Sequence, residues 1–291
     1  MLPSLPAAAL LLVLSLSMPA VASAKSTARH LRRATAPRTV TADELIAVVF
    51  PERRDDAATG ATAYGPTAIP VRRLESDEEP EVLDGVTELG ARLVLTVPDG
   101  RETRHVLYLD IAGEEINYFT PFRGRGALVA VFDDGPTKQV LDLVDVQSDR
   151  ESDVMWEGPA SRLGPQGRSF TVTSEHHNSS QNYESFDMFT VHDGRIRLVM
   201  SLQLLSWGTE TENVSETASF GVVPRRGSPF GDVVVSVTVD RRPYPGSTAR
   251  RRVRRSVRTY RETYRWRGPE RGYEDAGGTL DFVVELNAAH Y

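Results

Sequence analysis

Hydrophobic and polar residues alternate with a period of two over most of this chain, the pattern of half-buried β-strands. Leu93, Leu95 and Val97 alternate with Val94 and Thr96, and Pro98-Asp99-Gly100 then marks a turn. Apolar runs follow at Val106–Ile111, Ala127–Phe132 and Val140–Val146, with the turn signal Asp133-Asp134-Gly135-Pro136 between the last two. Phe170, Val172 and Ser174 alternate with Thr171 and Thr173. Phe186, Met188 and Thr190 lead into His192-Asp193-Gly194-Arg195, and Ile196, Leu198, Met200, Leu202 and Leu204 share one face beyond it. Asp-Gly between two alternating runs is a strong hairpin signal. Val233, Val235, Val237 and Val239 form another strand, a long run extends from Val253 to Trp266, and Leu280 to Leu286 reads as a closing strand.

Only one segment carries a helical signature. Thr41-Ala42-Asp43-Glu44 is a capping box, Leu45, Ile46, Val48 and Val49 follow, and Pro51 stops the run. The expected fold is therefore all-β: an antiparallel meander of hairpins, closed as a sandwich, a barrel or a partial propeller, with one short N-terminal helix. Three stretches, 104–147, 168–206 and 231–276, share a layout of strand, loop, strand, tight turn, strand. They read either as a propeller-like repeat or as hairpins that look alike because hairpins do.

The chain divides into three parts. Residues 7–16 are a Leu/Ala-rich apolar run, and Val21-Ala22-Ser23-Ala24 precedes Lys25. Small residues at Ala22 and Ala24 suit signal-peptide cleavage after Ala24, although no Lys or Arg precedes the run. Residues 25–40 are a basic lead-in with Arg29, Arg32, Arg33 and Arg38, expected to be disordered. Residues 41–291 form one all-β domain: a helix at 41–50, a loop-rich stretch at 52–90 and the β meander at 91–291. The expected location is periplasmic or secreted, with no membrane-spanning segment after cleavage.

Composition narrows the chemistry. The 291 residues contain no cysteine, which excludes disulfides, thiolate-ligated metals and a thiol nucleophile. A net charge of −6 argues against nucleic acid as partner. Lys25 and Lys138 are the only lysines among 34 basic residues, an arginine skew that fits a GC-rich, bacterial genome. No phosphate-binding glycine loop, metalloprotease helix or nucleophile elbow occurs. No cofactor is expected.

Three constellations remain. In the string Ser174-Glu175-His176-His177-Asn178-Ser179-Ser180-Gln181-Asn182-Tyr183, a strand gives way to a loop, a favoured place for binding groups on a β scaffold. Neighbouring strand residues point oppositely, so His176 and His177 do not share one metal. His176, His177, Asn178, Ser180 and Gln181 are the candidate ligand-binding residues, against the alternative of a loop stitched to its own backbone. Asp142 and Asp145, on opposite faces of a strand, are the second constellation, read as edge charges or as part of an Asp/His hydrolytic site. The third is the run Arg250–Arg267, where Arg258, Tyr260, Glu262, Tyr264 and Trp266 share one face and Thr259, Arg261, Thr263 and Arg265 the other. Arg254, Arg258, Arg261 and Arg265 are candidates for a polyanion or partner surface, or for arginines that answer the acidic surplus.

Residues 127–205 resemble a group of uncharacterised exported bacterial proteins. The resemblance is carried by Leu141-Asp142-Leu143-Val144-Asp145-Val146, by Ser174 to Gln181 and by His192-Asp193-Gly194-Arg195-Ile196-Arg197-Leu198. It implies export and a β fold, and no activity. The functional expectation is an exported binding or scaffold module without catalysis, acting on an unidentified small ligand or envelope component. The alternative is an envelope hydrolase acting on a glycan or ester.

Overall fold

The computed structural model describes residues 39–55, 62–74, 79–113, 125–146, 151–155, 162–164, 167–178, 180–245 and 254–288. The apolar leader, nearly all of the basic lead-in, the acidic residues 75–78, Ser179 and the start of the arginine run lie outside them. Along the chain come α1 (Ala42–Val49), β1 (Arg53–Asp55), β2 (Thr62–Tyr64), β3 (Arg72–Arg73), β4 (Glu88–Asp99), β5 (Glu102–Ala112), β6 (Arg125–Phe132) and β7 (Val140–Asp145). There follow β8 (Glu151–Met155), β9 (Ser169–Asn178), β10 (Gln181–His192), β11 (Arg195–Gly208), β12 (Glu212–Val223), β13 (Asp232–Pro243), β14 (Ser256–Trp266), β15 (Tyr273–Gly278) and α2 (Asp281–Ala288). The all-β expectation holds: three sheets carry the fold, and none closes into a barrel among the described residues.

The capping box forms as its residues require. Thr41 Oγ1 accepts the Glu44 N–H at 3.3 Å, and Glu44 Oε2 accepts the Thr41 N–H at 3.1 Å. Leu45 and Val49 bury one side of α1. That side covers the outer face of a five-stranded sheet, order β3-β7-β6-β5-β4, where Leu107, Leu109, Ile111, Leu128, Ala130, Phe132 and Leu143 point outward. The inner face of the same sheet carries Leu95, Val97, Val106, Tyr108, Val129, Val131 and Val144. These pack against Phe170, Val172, Phe189, Val191 and Ile196 of β9–β11. A sheet covered on both faces has no polar positions to alternate, which explains the unbroken apolar runs at 106–111 and 127–132.

The second large sheet is an eight-stranded meander in sequence order from β8 to β15. Its β8–β11 end completes the sandwich. Its β10–β14 part lines a third core with Leu163, Phe230, Trp266, Tyr273, Leu280 and Val283. The three stretches of similar layout are not blades: the first lies in the five-stranded sheet, and the other two run on within the eight-stranded one.

The expected closing strand at Leu280–Leu286 is instead helix α2. Leu280, Val283 and Asn287 recur at helical spacing and are buried, whereas Phe282 and Val284, which a strand would put on the same face as Leu280, are both exposed. The β-branched pair Val283-Val284 favours a strand locally, but one buried stripe on a core already lined by strands selects the helix.

The β10–β11 turn bears out the Asp-Gly signal. Asp193 has φ +51° and Gly194 φ +70°, so both central positions are left-handed, as a two-residue turn between right-twisted strands demands.

Candidate functional site

The meander brings chemistry to both ends of the β10–β11 hairpin, and the two ends differ. At the Asp193–Gly194 end two buried carboxylates reach across from the five-stranded sheet. Asp99, in the β4–β5 turn, accepts the N–H groups of Asp193 at 2.8 Å and Gly194 at 2.6 Å, and pairs with Arg104 at 3.1 Å. Asp142 on β7 accepts the Ile196 N–H at 2.8 Å and both arms of Arg72 at 2.8 and 2.6 Å. Arg72 also donates to the Ile196 carbonyl at 2.7 Å. Each carboxylate here satisfies backbone groups at a junction between sheets.

This geometry speaks against catalysis at the paired aspartates. Asp142 has its oxygens engaged by a guanidinium fork and a backbone N–H, and Asp145, on the opposite strand face, is wholly buried. Asp99, His192 and Asp193 come close enough to suggest a cation site. However, Asp99 already answers two N–H groups and a guanidinium, whose charge opposes a cation. His192 lies flat on Trp266, with ring centroids 5.0 Å apart and planes at 15°. The cluster is a clasp.

The far end of the same strands is open. His176 and His177 fall on opposite faces of β9, as the strand period requires. His176 lies against its cross-strand partner Tyr183 at 6.0 Å. His177 sits opposite Asn182 and approaches Glu175 Oε2 at 3.5 Å. Asn178 ends β9, where its backbone pairs with Gln181. Tyr183 Oη donates to Gln181 Oε1 at 2.7 Å and so orients that amide. The Gly208 N–H donates to the Ser180 carbonyl at 3.0 Å, tying the β9–β10 turn to the end of β11. Thr209 Oγ1 accepts the N–H groups of Thr211 and Glu212 and tightens the β11–β12 turn.

A cleft of about 430 Å³ opens beside these turns. His177, Ser180, Gln181, Asn182, Ser206, Trp207, Asn213 and Val214 face it. Part of its lining is the short ladder at which β11 and β12 pair, Trp207–Val214 and Gly208–Asn213; past those pairs the two strands separate. Beyond that point side chains replace the missing strand partner. Glu216 Oε2 accepts the Leu205 N–H at 2.9 Å and Asn287 Nδ2 at 3.1 Å, and Ser206 Oγ accepts the Glu216 N–H at 3.3 Å. Burial holds the Glu216 carboxyl above its ordinary range. In the cleft wall, Asn182 Oδ1 is buried without a hydrogen-bond partner among the described residues, a cost of about 1–3 kcal/mol.

The structure thus gathers His177, Ser180 and Gln181 into one cleft and turns His176 away from it. It adds Asn182, Ser206, Trp207 and Asn213, which reading the sequence missed. Asn182 lies within the singled-out string but not among its candidate ligand-binding residues; Trp207 and Asn213 come from strands whose order the sequence does not state.

The arginine-rich strand is neutralised only in part. Arg265 pairs with Asp232 at 3.3 Å, and Arg255 with Asp240 at 3.2 Å. Arg242 and Arg255 hold the Asp240 carboxyl at about 2. Arg261 donates to Ser236 Oγ at 3.3 Å. Arg254 and Arg258 are exposed, with no ion-pair partner among the described residues. On a period of two Arg258 shares its face of β14 with Tyr260, Tyr264 and Trp266, which pack on the third core, and Arg261 and Arg265 lie on the other face.

No family model, characterised protein or solved structure matches this chain. No helix among the described residues is long and apolar enough to cross a membrane.

Proposed function

We propose that this protein is an exported, non-enzymatic binding module that takes an uncharged, hydroxyl-rich ligand in the cleft between the β9–β10 and β11–β12 turns. The carrying observation is the composition of that cleft. One indole, three amides and two hydroxyls face it, and His177 is the only residue in the described lining that can carry a charge. Amides both donate and accept, so they match hydroxyls in either role, and an indole offers an apolar face. This combination suits a sugar, whose hydroxyls alternate with C–H faces. Engagement of Asp142 and burial of Asp145 favour binding over hydrolysis. Export rests on the apolar run at 7–16 and the small residues at Ala22 and Ala24.

The test is native mass spectrometry and calorimetry of the chain against soluble cell-wall oligosaccharides. Binding without turnover, weakened at least tenfold in Trp207→Ala and in Asn182→Ala, is the expected result. Equal affinity in both variants and wild type, or product release that disappears in Asp145→Asn, would refute it.

A further inference from the structure

Helix α2 is held to the third core by little apolar surface. Leu280 and Val283 are buried there, whereas Phe282 and Val284 are exposed. Phe282 lies on the Tyr260 ring, with centroids 5.5 Å apart and planes at 21°. The polar attachments of the helix are two buried carboxyl groups, Glu262 at its start and Glu216 near its end. We propose that α2 is a proton-dependent strap, closed over the third core in mildly acidic solution and released as the pH rises past neutrality.

At the start of the helix, Glu262 faces inward on β14 and is only 3% exposed. Its carboxyl accepts the Leu280 N–H and is hydrogen-bonded to the Asp275 carboxyl on β15. Ionised carboxylates only accept, so a bond between the two requires a proton. A Cβ on Gly278 would overlap both Glu262 carboxyl oxygens, and the glycine leaves the space they occupy. Thr279 pins the chain just before the helix. Its N–H donates to the Arg261 carbonyl at 2.8 Å, and its Oγ1 accepts the Arg261 N–H at 3.0 Å. Opening is thereby confined to residues beyond Thr279.

Near the end of the helix, Asn287 is buried, and its Nδ2 donates to Glu216 Oε2 at 3.1 Å. The Leu205 N–H donates to the same oxygen at 2.9 Å. No cation answers either carboxyl among the described residues. The β13 positions opposite Glu216 and Glu262 are Val239 and Val235. On this face Arg241 is bound to Glu212, and Arg258 has no ion-pair partner among the described residues. The other titratable groups around Glu262 are Tyr260 and Tyr264 on β14, Asp275 on β15 and Asp281 on α2, and α2 adds Glu285. None supplies positive charge.

A buried carboxyl without a cation is held as the acid. Burial and the Asp275 carboxylate push Glu262 up to about 7, and burial raises Glu216. Asp275, lowered from 3.8, stays ionised throughout this range. Release of α2 hydrates Glu262 and returns its carboxyl toward the ordinary 4.5. The closed strap therefore holds a proton that the open one gives up. Below pH 7 that proton comes with closure; above it, each pH unit raises the ratio of open to closed about tenfold.

Hydrogen exchange of the full chain between pH 5.5 and 8.5, read by mass spectrometry and corrected for intrinsic amide rates, tests the strap. Amides of 281–288 are expected to be less protected than those of β13 at every pH, and above pH 7 to lose protection about tenfold per unit. Glu262→Gln keeps an uncharged donor against Asp275 and flattens that loss. Asp275→Asn gives the Glu262 carboxylate a donor and flattens it as well. Asp275 is exposed, so this variant carries the test if Glu262→Gln fails to fold. The proposal falls if α2 is protected as strongly as β13, because the helix would then leave only when the whole domain unfolds. It falls too if protection is constant between pH 7 and 8.5, or if the folded variants keep the wild-type slope. None of these outcomes depends on the ligand proposed for the cleft.

Discussion

The β10–β11 hairpin has two ends built from the same strands, and they are put to opposite uses. At the Asp193–Gly194 end, Asp99 and Asp142 answer three backbone N–H groups, and Arg72 and Arg104 compensate their charge. At the other end a cleft opens beside the two residue pairs that join β11 and β12, and the Asn182 amide oxygen is buried without a hydrogen-bond partner among the described residues. The first end shows buried carboxylates consumed by the fold; the second shows amides, hydroxyls and an indole gathered along a cleft. That contrast is why the proposed ligand is placed at the open end. The lesson concerns aspartates in particular: a buried carboxylate beside a tight turn is engaged by that turn's N–H groups before it is free for chemistry.

The comparison is broken most severely at the clasp. Asp142→Ala leaves Arg72 and the Ile196 N–H without their acceptor, and a loss of about 3–5 kcal/mol is expected in urea unfolding. Asp99→Ala strands two N–H groups and Arg104, with a loss of about 2–4 kcal/mol. A loss below about 0.5 kcal/mol in either variant would show that the two sheets are held by apolar packing alone.

Gly194→Ala places a side chain at a φ of +70° and is expected to cost about 1–2 kcal/mol by the same measurement. At the open end, Trp207→Ala should remove ligand affinity at least tenfold, and His177→Ala should change stability by less than about 0.5 kcal/mol, since His177 is exposed. A large stability loss in His177→Ala would mean that the open end, too, is structural.

A subtler contrast involves pH. Glu262 faces inward on β14, and burial together with the neighbouring Asp275 carboxylate pushes its carboxyl up to about 7. The folded state thus holds a proton that the unfolded chain releases near 4.5. The stability this contributes is complete below about 4.5 and lost as pH rises through about 7. Glu216, raised by burial, acts in the same direction. Asp275 is lowered from 3.8 by the hydrogen bond from Glu262, so its contribution is lost only as pH falls below that range. Glu262→Gln should flatten the decline in melting temperature between pH 5 and pH 8. An unchanged slope would place the titrating group elsewhere.

Much of this molecule was legible in the chain. Strand alternation, the Thr41–Glu44 capping box and the Asp193–Gly194 turn are local devices, and each formed where its residues stand. The opposite facing of His176 and His177, and of Asp142 and Asp145, also follows from a period of two. The helix at Leu280–Asn287 was misread because β-branched residues and one buried stripe point to different elements, and the core made the choice. The cleft was half legible: His177, Ser180 and Gln181 stood out as an unusual polar string, whereas Trp207 and Asn213 looked like ordinary strand residues.

What the sequence determined by itself, outside the C-terminal helix, is the kind of element along the main strands and the face each side chain takes, because both depend on neighbours two to four residues away. What only the tertiary structure decided is which turns converge, which carboxylates are consumed and which polar groups remain available. Asp99 meets Asp193, and Arg72 meets Asp142, across separations of 94 and 70 residues. No local pattern encodes such meetings. They follow from the order in which strands pair and from the requirement that every buried backbone group find a partner.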